Sequence, residues 1–154
     1  DLVICARPEQ DVAEIADLCA SLWARGLLPE REGIGLDPYG VASLVDALAQ
    51  RGIPDEAIAG VGQGWRLSGT IKGLERKLKD QKVAHCGQPL CAWAVSNASV
   101  DVQKMNLLIT KERSGMAKID PLAALINAVY MMDRNPQPRA APESVYTRRG
   151  LLVV

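Results

Sequence analysis

Val12, Ile15, Leu18, Cys19 and Leu22 recur at helical spacing between Pro8 and Gly26, and Gly26 is placed to end that helix. The unbroken apolar run LVIC at 2–5 ahead of it reads as a short strand. GIGL at 33–36 is a second such run and predicts a strand that stops at Asp37, after which Pro38, Tyr39 and Gly40 break the chain. VASLVDALAQRG then aligns Val41, Leu44, Val45 and Leu48 on one helical face, with Gly52 as the stop. A weaker strand is expected in AIAGVGQ at 57–63, followed by the loop GQGWRLSG. Strand, helix, strand, helix implies parallel crossover units and an α/β domain.

Further along, TIKGLERKLKDQKV predicts a charged helix with Ile71, Leu74 and Leu78 facing inward. PLCAWAVSNA, apolar at most positions, predicts a buried helix, and NLLIT at 106–110 a strand. In DPLAALINAVYMMDR, Asp120 stands in the N-cap position, Pro121 opens the helix, and Leu122, Leu125, Ile126 and Val129 form the buried stripe. NPQPRAAPES beyond it predicts an extended Pro-rich tail, with VYTRRGLLVV as a strand able to dock. The division expected is a domain at 1–133 and a Pro- and Arg-rich tail at 134–154.

The 154 residues, 48% apolar, suffice for one core, and 18 basic residues balance 18 acidic ones. The net charge therefore gives no overall field toward nucleic acid or lipid. Cys5, Cys19, Cys86 and Cys91 form no CxxC pair and are read as reduced thiols. His85, Cys86 and Cys91 lack a fourth ligand at a zinc spacing, and His85 reads as a structural residue. No signal peptide or apolar run near 20 residues is found, so no membrane span is expected and a cytoplasmic location is. The chain opens on Asp1 without an initiator Met, the appearance of a piece cut from a longer polypeptide.

Two carboxylates stand at element ends. Asp37 closes a predicted parallel strand, where α/β sheets collect ligands, although Asp-Pro is also a turn-initiating pair. Asp120 opens a helix behind the basic stretch KERSGMAK, although a helix cap alone explains an aspartate there. Together they suit a divalent cation, which takes hard oxygen ligands, and two cations about 4 Å apart can drive phosphodiester hydrolysis. Lys111, Arg113 and Lys118 would then offer phosphate contacts, or else form a solvated loop. Gly60, Gly62 and Gly64 give G-x-G-x-G, with Trp65 where a dinucleotide fingerprint needs its next glycine, and nucleotide binding is not expected.

GLDPYG, GQGWRLSGTIKGLE, VAHCGQPLCAWAVSNA and KIDPLAALINAVYMM together resemble the C-terminal nuclease domain of the large terminase subunit of tailed bacteriophages, from about residue 10 to residue 133. The resemblance implies a ribonuclease H-like mixed sheet flanked by helices, here incomplete at the N-terminus. It implies Mg2+ or Mn2+ held by three acids, with Asp37 matching the second and Asp120 the last. The first would lie on a strand upstream of LVIC, and neither Asp1 nor Asp11 stands in the matching context. The implied activity is metal-dependent endonucleolytic cutting of concatemeric double-stranded phage DNA during packaging, with little expected from this piece alone. Implied partners in the full protein are an ATPase domain, the terminase small subunit and the portal; no G-x-x-x-x-G-K-[ST] loop occurs in these residues. A resolvase- or transposase-type nuclease would share the acids but not the HCGQP…W…SN block, and an inactive DNA-binding or assembly module would keep the fold without the metal.

Overall fold

The structure is a computed structural model that describes residues 4–85, 87–111 and 118–139. Helix α1 (Gln10–Ala24) leads through a loop to strand β1 (Ile34–Leu36), helix α2 (Ala42–Gln50) and strand β2 (Ile58–Gly60). A 3-10 turn at Gly64–Leu67 opens helix α3 (Ser68–Lys79), and helix α4 (Pro89–Ser96), strands β3 (Ala98–Gln103) and β4 (Asn106–Lys111) and helix α5 (Asp120–Asp133) follow. The α/β class expected from the pattern is the class observed. The described strands pair as a parallel β1–β2 ladder and an antiparallel β3–β4 hairpin.

The parallel ladder separates two layers of core, because successive strand side chains point to opposite faces. Ile34, Leu36 and Ile58 join Ala16, Leu48, Ile53 and Ala57 beneath α1 and α2. On the other face, Ala59 and Val61 join Leu67 of the 3-10 turn and Leu74, Ala94, Leu122, Ile126 and Met131 from α3, α4 and α5. Gly35 lies between Leu36 and Ile34 on that second face, where a Cβ would meet Met131 Cγ at 2.8 Å and Val61 Cγ2 at 3.0 Å. The absent side chain lets α5 approach the strand.

The direction of α5 follows from its contacts. Arg134, just past its C-terminus, pairs at 2.8 Å with Glu32, just before β1. Asn127, one turn before Met131, accepts a hydrogen bond from Gln63 beyond the end of β2. Ile119 and Ala123 line a cavity of about 60 Å³ with Gly64, Leu67 and Ile109. The helix thus runs antiparallel to β1 and β2, with its N-terminus on the side where both strands end.

Several local expectations are corrected. Ile4 and Cys5 are irregular rather than the end of a strand, and residues 1–3 lie outside the described residues. In α1 the face turned to the core is Ala16, Cys19 and Trp23, while Ile15 and Leu18 are exposed. The small side chain of Ala16 lets α1 lie close on α2, and Arg51 fixes that rotation by reaching Asp17 at 2.6 Å and the Ala13 carbonyl at 3.4 Å. Leu78, expected inward, is half exposed in the last turn of α3.

Helix α4 exists but is a surface helix. Only Ala94 is fully enclosed, and Leu90, Trp93 and Val95 are exposed. Its uniformly apolar sequence concealed which side meets α5. The hairpin partner β3 was not expected; its Val100 and Val102 alternate, but the turn places Lys104 at φ 57°, without the Gly or Asn that announces such a turn. At the start of the tail, Arg139 stacks over the Trp23 ring at 4.8 Å and donates to the Trp23 carbonyl. The strand expected in VYTRRGLLVV lies outside the described residues.

Candidate functional site

Asp37 follows directly on Leu36, so the ladder delivers it to the carboxyl edge of the sheet. Its Oδ1 accepts the Tyr39 backbone N–H at 3.1 Å, an Asx turn that folds the chain over at Pro38. The turn-forming reading of Asp-Pro is therefore literally present. It does not use up the group, because an ionised carboxylate has about four lone-pair positions and the turn takes one. The neighbouring loop lies alongside: Val61 N–H donates to the Leu36 carbonyl at 2.7 Å, and Pro38 Cβ lies 3.8 Å from where a Cβ on Gly60 would sit.

Asp120 is the first residue of α5 rather than its cap. Ile119 takes the N-cap position without a side-chain cap, and its carbonyl accepts the Ala123 N–H at 2.9 Å. The capping explanation of this aspartate is thus displaced by one residue, and Asp120 stands exposed in the first turn of α5. Since α5 runs antiparallel to β1 and β2, both aspartates belong to the carboxyl end of the parallel ladder. Among the described residues, no group of three or more His, Cys, Asp or Glu converges in a way that could hold a metal.

The basic stretch is anchored on both sides by the end of α4. Lys111 closes β4 opposite Ala98, and the Lys118 carbonyl accepts a hydrogen bond from Asn97 Nδ2 at 3.0 Å. Lys111 and Lys118 therefore flank one corner, Asn97–Ala98, two residues from Asp120, and both are exposed. Arg113 lies outside the described residues. Asn97 was noticed in the sequence only as part of a block; its amide, which fixes the approach to α5, needed the fold to be seen.

His85 is exposed, and its Nδ1 accepts the Gly87 N–H at 3.1 Å, so it shapes the loop ahead of α4. In the glycine loop after β2 the Arg66 side chain lies over Gly62, its Cδ 2.5 Å from where a Cβ on that glycine would be. A cavity of about 470 Å³ lies elsewhere, at the amino end of β1 between Glu30, Glu32, Met131 and Arg134. Its acids face Arg134 and Arg139, an arrangement that neutralises charge rather than gathering a cation.

No helix among the described residues is long and apolar enough to cross a membrane. No curated protein and no solved structure matches the chain. Residues 13–135, which run from the first turn of α1 to just past α5, match the family model described as terminase large subunit, endonuclease domain, and the chain belongs to that family.

Proposed function

We propose that this chain is the divalent-metal-dependent part of a packaging endonuclease, cutting double-stranded phage DNA with Asp37 and Asp120 as metal ligands. Family membership supports the reaction class. The observation that carries the residue assignment is the antiparallel course of α5, which puts the helix start at the edge where β1 ends. Mg2+ or Mn2+ fits this donor set, since both aspartates supply hard carboxylate oxygens and neither is neutralised by a basic side chain among the described residues. When bound, such cations would activate water and offset charge on the leaving oxygen.

The protein's own contribution is positional. The Asx turn holds Asp37 at the sheet edge, and the Asn97 amide holds the turn into α5 that carries Asp120. Lys111 and Lys118, with Arg113 between them in the chain, would meet phosphates beside the acids. Two carboxylates are a sparse set for two dications, and no third acid joins them among the described residues. The 154-residue chain alone is therefore expected to bind Mn2+ weakly and to cut slowly, and a longer chain supplying a third acid from upstream should cut faster. An ATPase domain, the small subunit and the portal would be partners of that longer protein.

The test is plasmid cleavage with Mg2+ or Mn2+ by the longer chain, beside its Asp37→Asn and Asp120→Asn variants, with Mn2+ affinity measured by calorimetry. Loss of cleavage by about a hundredfold or more in each variant, with weakened Mn2+ binding, is the expected result. Near-normal cleavage by both would show that other residues carry the metal. DNA binding without any metal-dependent cut would leave an assembly module.

A further inference from the structure

The edge that carries Asp37 also displays largely exposed aromatic rings. The chain has three Trp, three Tyr and no Phe. Two of these six, Tyr39 at 84% exposure and Trp65 at 60%, stand on the two adjacent loops that leave β1 and β2. Burial is the ordinary use of such side chains, and leaving two exposed on neighbouring loops forfeits it. Arg66 stacks on the Trp65 ring, its Cζ 5.0 Å from the centroid. Arg66 also lies over Gly62, the residue whose missing side chain makes room for it.

The loop that presents them is tied down. Gln63 Nε2 donates to the Val61 carbonyl at 2.8 Å and to Asn127 Oδ1 at 3.1 Å, which fixes the base of the loop to β2 and to α5. Gly64 turns the chain at φ 70° just before Trp65. A guanidinium clamped to one face of an indole, on a braced loop at the carboxyl end of the parallel ladder, combines phosphate attraction with a flat apolar surface. A nucleic-acid strand offers both features together, whereas an apolar peptide has no use for the arginine.

We propose that Trp65, Arg66 and Tyr39 form a platform for one DNA strand, with an unpaired base stacked on Trp65 and its phosphate held by Arg66, next to Asp37. The platform would present the strand being cut, and in this sense the inference rests on the endonuclease reading. Its own chemistry needs no metal. Stacking on an aromatic ring is sequence-tolerant, so little preference among bases is expected at this position.

Anisotropy of a fluorescein-labelled single-stranded 20-mer, titrated with the 154-residue chain in EDTA, tests this directly. The expected result is binding that weakens about tenfold or more in Trp65→Ala, is largely kept in Trp65→Phe, and weakens with a shallower salt dependence in Arg66→Gln. The same 20-mer as a blunt duplex should bind less tightly and respond less to Trp65→Ala. Circular dichroism of each variant shows whether the fold persists, and the Trp65→Phe protein separates loss of the ring from disturbance of the loop. Wild-type affinity in Trp65→Ala, no binding by the wild type, or an effect confined to the duplex would each overturn the platform. The endonuclease reading fails separately, if Asp37→Asn and Asp120→Asn still cut.

Discussion

One oxygen of Asp37 is occupied by the Tyr39 N–H, and this separates charge from shape at that residue. Asparagine can still accept that bond through its amide oxygen, whereas alanine cannot. Asp37→Asn should therefore keep the wild-type melting temperature while losing metal-dependent cleavage in the longer chain. Asp37→Ala should lose the same activity and also about 1 kcal/mol of stability, a typical worth for one such hydrogen bond. Paired thermal melts and cleavage assays check both, and equal melting of the two variants would show that the Asx turn is incidental. Cys19 is a second case at this scale. Burial pushes its thiol up from the ordinary value, so the reactive thiolate is scarce, and iodoacetamide at pH 8 should label Cys19 more slowly in the folded chain than in urea. Mass spectrometry of the labelled peptides reads the difference.

At the scale of elements, two side chains act as fasteners between them. Arg51, at the end of α2, donates to Asp17 on α1 and to the Ala47 and Ala13 carbonyls. The Arg51 hydrogen bond holds the Asp17 carboxyl below its ordinary value of 3.8. A carboxyl lowered on folding stabilises the fold above its unfolded pKa and loses that contribution as pH falls through the folded value. Wild type should thus melt above Asp17→Asn at pH 7, with the gap closing below pH 3.8. Thermal melts across that range measure it, and a gap that stays constant with pH would rule out the ion pair as its source. Asn97 fastens α4 to the entry of α5 through the Lys118 carbonyl. Asn97→Ala keeps both carboxylates in the chain but should loosen the turn that carries Asp120 and weaken Mn2+ binding in the longer chain several-fold, the effect expected of a positioning residue. Calorimetry showing unchanged Mn2+ affinity would assign Asn97 to the fold alone.

At the scale of the molecule, the described strands are short and the two core layers lie on opposite faces of the β1–β2 ladder. At Gly35 that ladder packs against Met131 of α5. Gly35→Ala puts a methyl group against the Met131 side chain and the fully buried Val61 side chain, and should cost about 1–3 kcal/mol through overpacking. The same change displaces the helix that carries Asp120, so cleavage by the longer chain should fall as well. Leu48→Ala, in the other layer and fully enclosed, should cost about 2–5 kcal/mol through its cavity. It should leave activity unchanged at temperatures where the variant is folded. Urea melts with parallel cleavage assays distinguish the two, and a Gly35→Ala protein as active and as stable as wild type would disprove the coupling of sheet to helix.

Periodicity and punctuation in the sequence determined the α/β class, the extents of α1, α2, α3 and α5 to within a few residues, and the position of Asp37 at a strand end. These rest on local physics: apolar spacing of 3.6 or an unbroken short run, glycine at helix ends, and proline after an aspartate. The assembled motifs also carried the family, since their order survives in one dimension. What local pattern could not fix was rotation and partnership. Whether Ile15 or Ala16 faces inward depends on how closely α2 approaches, and α4 is apolar on every side, so only packing against α5 selects Ala94. Strand β3 needed its partner β4 to become visible, because a two-stranded pairing is a long-range choice with a weak local signal. The tertiary structure alone decided that α5 runs against the strands. That direction, set by Gly35 against Met131 and Arg134 against Glu32, brings two aspartates more than eighty residues apart in the chain to one end of the sheet.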